Sequence, residues 1–264
     1  MRTNHATDGS SARFGFRLDR NSTHVARTIM LSELTLLLEH VVDASAPRED
    51  YRQAVLEQNA LAKRTAATRN VDWEYLVALY ALDPSVTIFR LLRHFWEMDQ
   101  AGHPLLSLLC GCARDQLLRS TAPFILTVPF GAVVTLDMTM QYVDSLEPGR
   151  FSKGTLKSTC QNINASWTKS GHLVGRARKV RSEASPTAGA VAYALALGYL
   201  GGIRGELLFE SEHVRLLDCT EERAVELAES AARRGWLAFK HIGDVKDVSF
   251  PGLLTPEEVE WSRE

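Results

Sequence analysis

The chain has 264 residues, with 30 Lys and Arg against 32 Asp and Glu, and a formal net charge of −2. Its 45% apolar and 23% charged residues describe a globular protein with room for a substantial core, which excludes collagen-like, low-complexity and wholly disordered chains. Four cysteines are too few for a disulfide scaffold, and the first twenty residues lack the apolar run of a signal peptide, so a reduced, cytoplasmic setting is expected.

Residues 1–27 carry five Arg and two Asp among Ser, Thr and Asn, and read as a flexible basic arm. A helical domain is expected over 28–149 and a second domain over 150–264. An apolar helix covers 28–42. A second, over 47–57, opens with Pro47 and carries Glu49 and Asp50 in its first turn, which are start signals. A third covers 67–82. Lys63, Arg64, Thr65, Thr68 and Arg69 gather at its start. A helix-turn-helix places cations and small hydroxyls there, against phosphate at a helix N-terminus. A solvated helix start has the same composition, and the pattern alone does not choose.

The middle of the chain is core. Ile88, Leu91, Leu92, Phe95 and Trp96 repeat at helical spacing over 84–99, and Leu105, Leu108, Leu109 and Cys112 do so over 103–119. Pro123 and Pro129 break a buried helix over 120–136. A further helix is expected over 130–146.

The net charge conceals a strong polarity. Residues 150–182 hold eight basic side chains and no acidic one, whereas 205–264 hold seven basic and fourteen acidic. Within the basic block a helix over 153–167 ends at Lys169-Ser170-Gly171, and two short extended segments follow, around 172–175 and 179–182. Helix, glycine stop and basic hairpin are the pattern of a winged helix. Lys153, Lys157, Asn162, Trp167 and Lys169 would face DNA from the helix, and Arg176, Arg178, Lys179 and Arg181 from the wing. Thr155, Ser158, Thr159, Gln161 and Asn164 add hydrogen-bonding capacity.

Residues 184–203 are uncharged and about long enough to span a bilayer. They are rich in Ala and Gly, however, and contain Pro186, which suits a closely packed internal helix better. The stretch 201–218 reads as partly extended. Thr220 caps a helix with Glu221 and Glu222 in its first turn, an Ala224, Leu227, Ala228 and Ala231 stripe, and a stop at Gly235. The segments 236–241 and 245–250, joined through Gly243-Asp244, form a β-hairpin. The expected fold is mainly α, a helical bundle with helix-turn-helix or winged-helix-like elements and short β-hairpins.

No phosphate-binding glycine loop, dinucleotide fingerprint, zinc-protease motif or nucleophile elbow occurs, and Cys110-Gly-Cys112 has no second pair at zinc spacing. No enzyme activity, metal or cofactor is expected.

Several runs together resemble the BrxA family of BREX bacteriophage-defence proteins. They are NALAKRTAATRN, LVALYALDPSVTIFRLLRHFWEMD, PLLSLLCGCARDQLLR and NINASWTKSGHLVGRARKVR, and the similarity extends over about residues 26–254. It rests on Lys63 with Thr68-Arg69, on Ala113-Arg114-Asp115 with Leu118-Arg119, and on Trp167 followed by Gly171 and Lys179-Val180-Arg181. The resemblance implies a non-catalytic, mostly helical protein that binds double-stranded DNA beside the system's methyltransferase and ATPases, without membrane insertion. The family has also been likened to the NusB RNA-binding fold and labelled a membrane protein, and this sequence supports neither label strongly. An adaptor that docks other proteins and an RNA-binding module remain the alternatives.

Overall fold

The structure, a computed structural model, describes residues 11–242 and 245–263 and is mainly helical. Helices α1 (Leu31–His40), α2 (Arg48–Leu56), α3 (Ala66–Tyr80), α4 (Thr87–Met98), α5 (His103–Arg114), α6 (Gln116–Ser120) and α7 (Ala122–Thr127) lead to strand β1 (Val133–Val134). Then come α8 (Leu136–Leu146), α9 (Lys153–Lys169), β2 (Leu173–Val174) and β3 (Lys179–Arg181). The chain ends with α10 (Ala188–Leu200), α11 (Glu212–Arg215), α12 (Glu221–Arg233), β4 (Ala238–Ile242), β5 (Val245–Ser249) and α13 (Pro256–Trp261).

Small residues place α10 at the centre. Every one of its residues is buried, and it packs on α4, α5, α11 and α12. Among the described residues no helix is long and apolar enough to cross a membrane. Gly189 explains the close approach on one side. Its N–H donates to Asp99 Oδ2 at 2.8 Å, and a Cβ there would lie 2.5 Å from the same oxygen. Gly189→Ala is therefore expected to cost about 1–3 kcal/mol by overpacking, read as a lower urea midpoint. A midpoint equal to that of the unsubstituted protein would contradict this packing.

Several sequence expectations are corrected. The helix expected over 103–119 breaks at Asp115, whose extended backbone (φ −128°, ψ 103°) ends α5 and whose carboxylate caps α6 through Leu118 N–H. The helix expected from residue 130 begins at Leu136, after β1. The stretch 201–218 is not extended but forms a 3-10 turn at Gly205–Leu208 and the short α11. Helix α13, with a Thr255–Glu258 capping box, was not foreseen.

The described part of the expected flexible arm, residues 11–27, is packed on the body. Phe14, Phe16 and His24 are buried, and Arg17 N–H donates to the Ala113 carbonyl at 3.1 Å. Residues 1–10 of the arm and the Gly243-Asp244 turn lie outside the described residues.

A three-stranded antiparallel sheet joins the two expected domains. Its order is β1-β3-β2, with Val133 opposite Val180 and Leu173 opposite Arg181. The boundary drawn at 149/150 thus runs through one folding unit. Helices α8 and α9 pack on each other between β1 and β2 in the chain. The second sheet is the expected C-terminal hairpin, β4-β5.

Candidate nucleic-acid interface

Periodicity divides α9 into two faces. Leu156, Thr159, Cys160, Ile163, Asn164, Ser166 and Trp167 are buried. Lys153, Gly154, Lys157, Ser158 and Gln161 are exposed. Ser152 caps the helix by accepting from Thr155 N–H at 3.2 Å, and the first turn contains no acidic residue. Both the helix dipole and the side chains therefore present positive potential at this end.

Behind α9, β2 and β3 are joined by a tight turn over residues 175–178. Gly175 permits it. Its φ is +95°, and a Cβ would lie 2.1 Å from the Arg178 carbonyl oxygen. Arg176 and Arg178 project from this turn, are exposed, and make no ion pair among the described residues. Lys179 is half-buried; burial lowers its ammonium pKa, and Nζ donates to the Gly175 carbonyl at 2.7 Å. Between turn and helix lies an open cleft of about 580 Å³, lined by Arg176, Arg178 and Lys179 on one side and Gln161 and Ala165 on the other. Gln161 sits one turn beyond Lys157 on the exposed stripe, a spacing that marks it as part of the same face.

The eight cations of the basic block separate into two groups. Arg150 pairs with Glu147 at 2.7 Å, and Arg181 pairs with Asp218. Lys153, Lys157, Lys169, Arg176, Arg178 and Lys179 make no ion pair among the described residues. Lys169 stands apart from Lys153, since sixteen residues of helix rise about 24 Å. It closes α9 at its C-terminal end, where a cation complements the dipole.

Seven expected contacts on this face are structural instead. Trp167 is wholly buried and donates from Nε1 to Thr121 Oγ1 at 2.9 Å. Arg181 is buried as well. It donates from Nε to the Ile125 carbonyl at 2.9 Å and grips the Asp218 carboxylate with both terminal nitrogens. Asn162 Nδ2 donates to the His24 carbonyl at 3.0 Å, and Asn164 Oδ1 accepts from Thr139 Oγ1 at 3.0 Å. Thr159 is buried, while the Thr155 and Ser158 hydroxyls bond within the first turns of α9.

The first candidate cluster is likewise absorbed internally. Lys63 reaches Glu33 at 3.0 Å and Asp72 at 3.2 Å. Burial alone would lower its ammonium pKa, but those carboxylates raise it. Arg69 Nε donates to the Leu56 carbonyl at 2.9 Å, and Thr65 caps α3 through Thr68 N–H at 3.1 Å. Of the three cations in this group only Arg64 is exposed, and it makes no ion pair among the described residues. The connection from α2 to α3 runs over residues 57–65, longer than the three or four residues of a helix-turn-helix.

One buried constellation has the composition of a hydrolase triad. His24 lies between Asp115 (Nδ1–Oδ2 2.9 Å) and Ser166 (Nε2–Oγ 2.9 Å). Ser166 Oγ also accepts from Ile29 N–H at 2.9 Å and donates to the Asn162 carbonyl at 2.8 Å, so its hydroxyl is fully engaged. Burial would raise the Asp115 carboxyl, but His24 and hydrogen bonds from Leu118 and Ser22 bring it below its ordinary value. The network fastens the N-terminal segment across α6 and α9. No local sequence signal announces it, because its three members are far apart in the chain. Among the described residues no group of His, Cys, Asp and Glu is arranged to hold a metal ion.

No protein-family model and no curated protein matches the chain. Its function is therefore read from its own residues.

Proposed function

We propose that this chain is a non-catalytic double-stranded DNA-binding accessory protein of a BREX-type bacteriophage-defence system. Helix α9 enters the major groove and the 175–178 turn rests on flanking phosphate, in the manner of a winged helix. The observation that carries the reading is the single basic face. Arg176 and Arg178 line one cleft with Gln161, Lys153 and Lys157 continue the exposed stripe of α9 on which Gln161 sits, and none of the four cations has an acidic partner among the described residues. The strand order β1-β3-β2, with α8 and α9 inserted after β1, holds the 175–178 turn beside α9, which supports this reading. The defence role rests on the sequence resemblance alone.

Each phosphate neutralised steepens the fall of log affinity with log salt by about 0.9. Lys153→Ala, Lys157→Ala and Arg178→Ala combined are expected to weaken duplex DNA binding at least about tenfold at low salt, roughly 1.4 kcal/mol, and to flatten that slope. A mobility-shift titration over a salt series checks this. Unchanged affinity and slope in the folded triple variant would refute the interface. Equal competition by duplex RNA would select the RNA-binding alternative. Absence of any shift, with partner capture surviving nuclease, would select the adaptor.

A further inference from the structure

The cleft between the 175–178 turn and α9 is more elaborate than a face that only rests on phosphate. Asn164 belongs to its lining, yet only 4% of that residue is exposed. Its Oδ1 is taken by the Thr139 hydroxyl at 3.0 Å, whereas Nδ2 makes no hydrogen bond among the described residues. That nitrogen is nevertheless open to solvent, unlike the unpartnered ring nitrogens of His213. The accessible edge of Asn164 therefore includes Nδ2, and the space it opens on is the cleft. One helical turn away, Gln161 is exposed and its side chain has no hydrogen-bond partner among the described residues. Opposite stand Arg176 and Arg178, and Val133, Leu136 and Ala165 add apolar surface. No residue of the lining is acidic.

We propose that this cleft binds one nucleotide, with its phosphate on Arg176 and Arg178 and its base edge on Gln161 and Asn164. Guanidinium suits phosphate because its planar fork meets two oxygens at once. With its oxygen occupied, the Asn164 amide offers donors alone and needs an acceptor, whereas Gln161 offers both. A base edge carries ring acceptors beside exocyclic groups, which such a pair of amides can read. Val133, Leu136 and Ala165 suit the flat face of the base. The volume of about 580 Å³ lies within the range of small-molecule sites, about 300–1,000 Å³, and a bare oxyanion would leave most of it to water.

The walls are fixed before any ligand arrives, which lowers the cost of binding. Val134 pairs with Lys179 across β1 and β3, and Lys179 Nζ braces the turn at the Gly175 carbonyl. Thr139 on α8 holds the Asn164 amide from behind. Two sources offer the same chemistry. One is a free mononucleotide, and the other is an unpaired nucleotide turned out of a duplex lying on the basic face. The second source rests on the DNA-binding reading, whereas the site itself does not.

The test titrates the full chain with guanosine 5′-monophosphate in the absence of DNA. A saturable shift of the Asn164 side-chain amide is expected in a ¹H–¹⁵N spectrum, while inorganic phosphate leaves that amide in place. Arg176→Ala combined with Arg178→Ala changes only exposed side chains and is expected to weaken the nucleotide at least about tenfold. Gln161→Ala, also exposed, is expected to weaken it about fivefold, the loss of one hydrogen bond. An unmoved Asn164 amide at millimolar nucleotide, undiminished binding in the double arginine variant, or an equal shift with inorganic phosphate would overturn the site. Competition then separates the sources. Displacement by a duplex with one unpaired nucleotide, but not by the fully paired duplex, assigns the site to an extruded nucleotide; equal displacement, or none, assigns it to the free one. A duplex that fails to bind at all, beside an intact Asn164 response, would refute the proposed function and leave the nucleotide site standing.

Discussion

Arg181→Ala is expected to destabilise the protein by about 3–5 kcal/mol, with the urea m-value unchanged. The side chain is buried, and its guanidinium grips Asp218 while donating to the carbonyls of Ile125, His172 and Ser182. Removing it leaves the Asp218 carboxylate buried without its counter-charge. Asp218 Oδ2 also accepts from Ala184 N–H at 3.2 Å, which holds the carboxylate in place once the arginine is gone. Arg181→Lys keeps the charge but loses the planar fork and is expected to recover only part of the loss. Arg181→Met with Asp218→Leu is expected to cost less than Arg181→Ala, because no unpaired charge remains. Equilibrium urea unfolding of the three variants checks the order. An Arg181→Ala protein that is fully stable but binds no DNA would return Arg181 to the interface and overturn the clamp.

Arg181 also shows where sequence reasoning reached its limit. The basic block was legible because eight cations without an acidic residue depart so far from the chain's composition. The assignment of each cation was not, because its counter-charge lies elsewhere in the chain. Asp218 for Arg181 and Asp72 for Lys63 enter only through tertiary packing. Trp167 failed for a related reason. An indole beside a basic run suits stacking, but its position on the Leu156, Cys160, Ile163 stripe already placed it inside. Helical periodicity found α4, α9 and α12 with near-correct ends and α5 with its start but not its stop, and the Ala/Gly composition located the buried α10. The two-residue strand β1 carries too little pattern to be seen, whereas β2 falls within the extended segment expected around 172–175. The 11–27 segment looked like an arm because its buried anchors, Phe14, Phe16 and His24, are spaced without period. The first candidate cluster fell to the same long-range pairing as Arg181, leaving the α9 face as the more coherent site.

Lowering the pH from 6.5 to 4 is expected to remove several kcal/mol of stability, through two buried imidazoles. Burial drives His172 and His213 from the ordinary 6.5 to about 4. For His172, Asp218 opposes that shift and Arg181 reinforces it; for His213, Glu212 opposes and Arg119 reinforces. Neutral His172 is well matched, since Nε2–H donates to the Leu216 carbonyl and Nδ1 accepts from the Ser170 hydroxyl at 2.9 Å. Protonation would aim a second N–H at that hydroxyl and place a charge in the core. In this pH window the unfolded chain binds protons that the folded chain refuses, so stability is complete above pH 6.5 and declines as pH falls toward 4. A shift of this size corresponds to on the order of 3 kcal/mol per ring, against a typical total of about 5–15. His94 and His103, also lowered by burial, act in the same direction. The lowered carboxyls of Asp115 and Glu258 contribute only below their ordinary values of 3.8 and 4.5, so most of the window belongs to histidine. Urea midpoints at pH 7, 5.5 and 4.5 are expected to fall in that order. His213→Phe is expected to make the decline shallower by about half, since one of the two principal groups is gone. A midpoint that stays constant from pH 7 to 4.5 would mean that these rings are hydrated or already charged in the folded state. The packing that places them in the core would then be wrong.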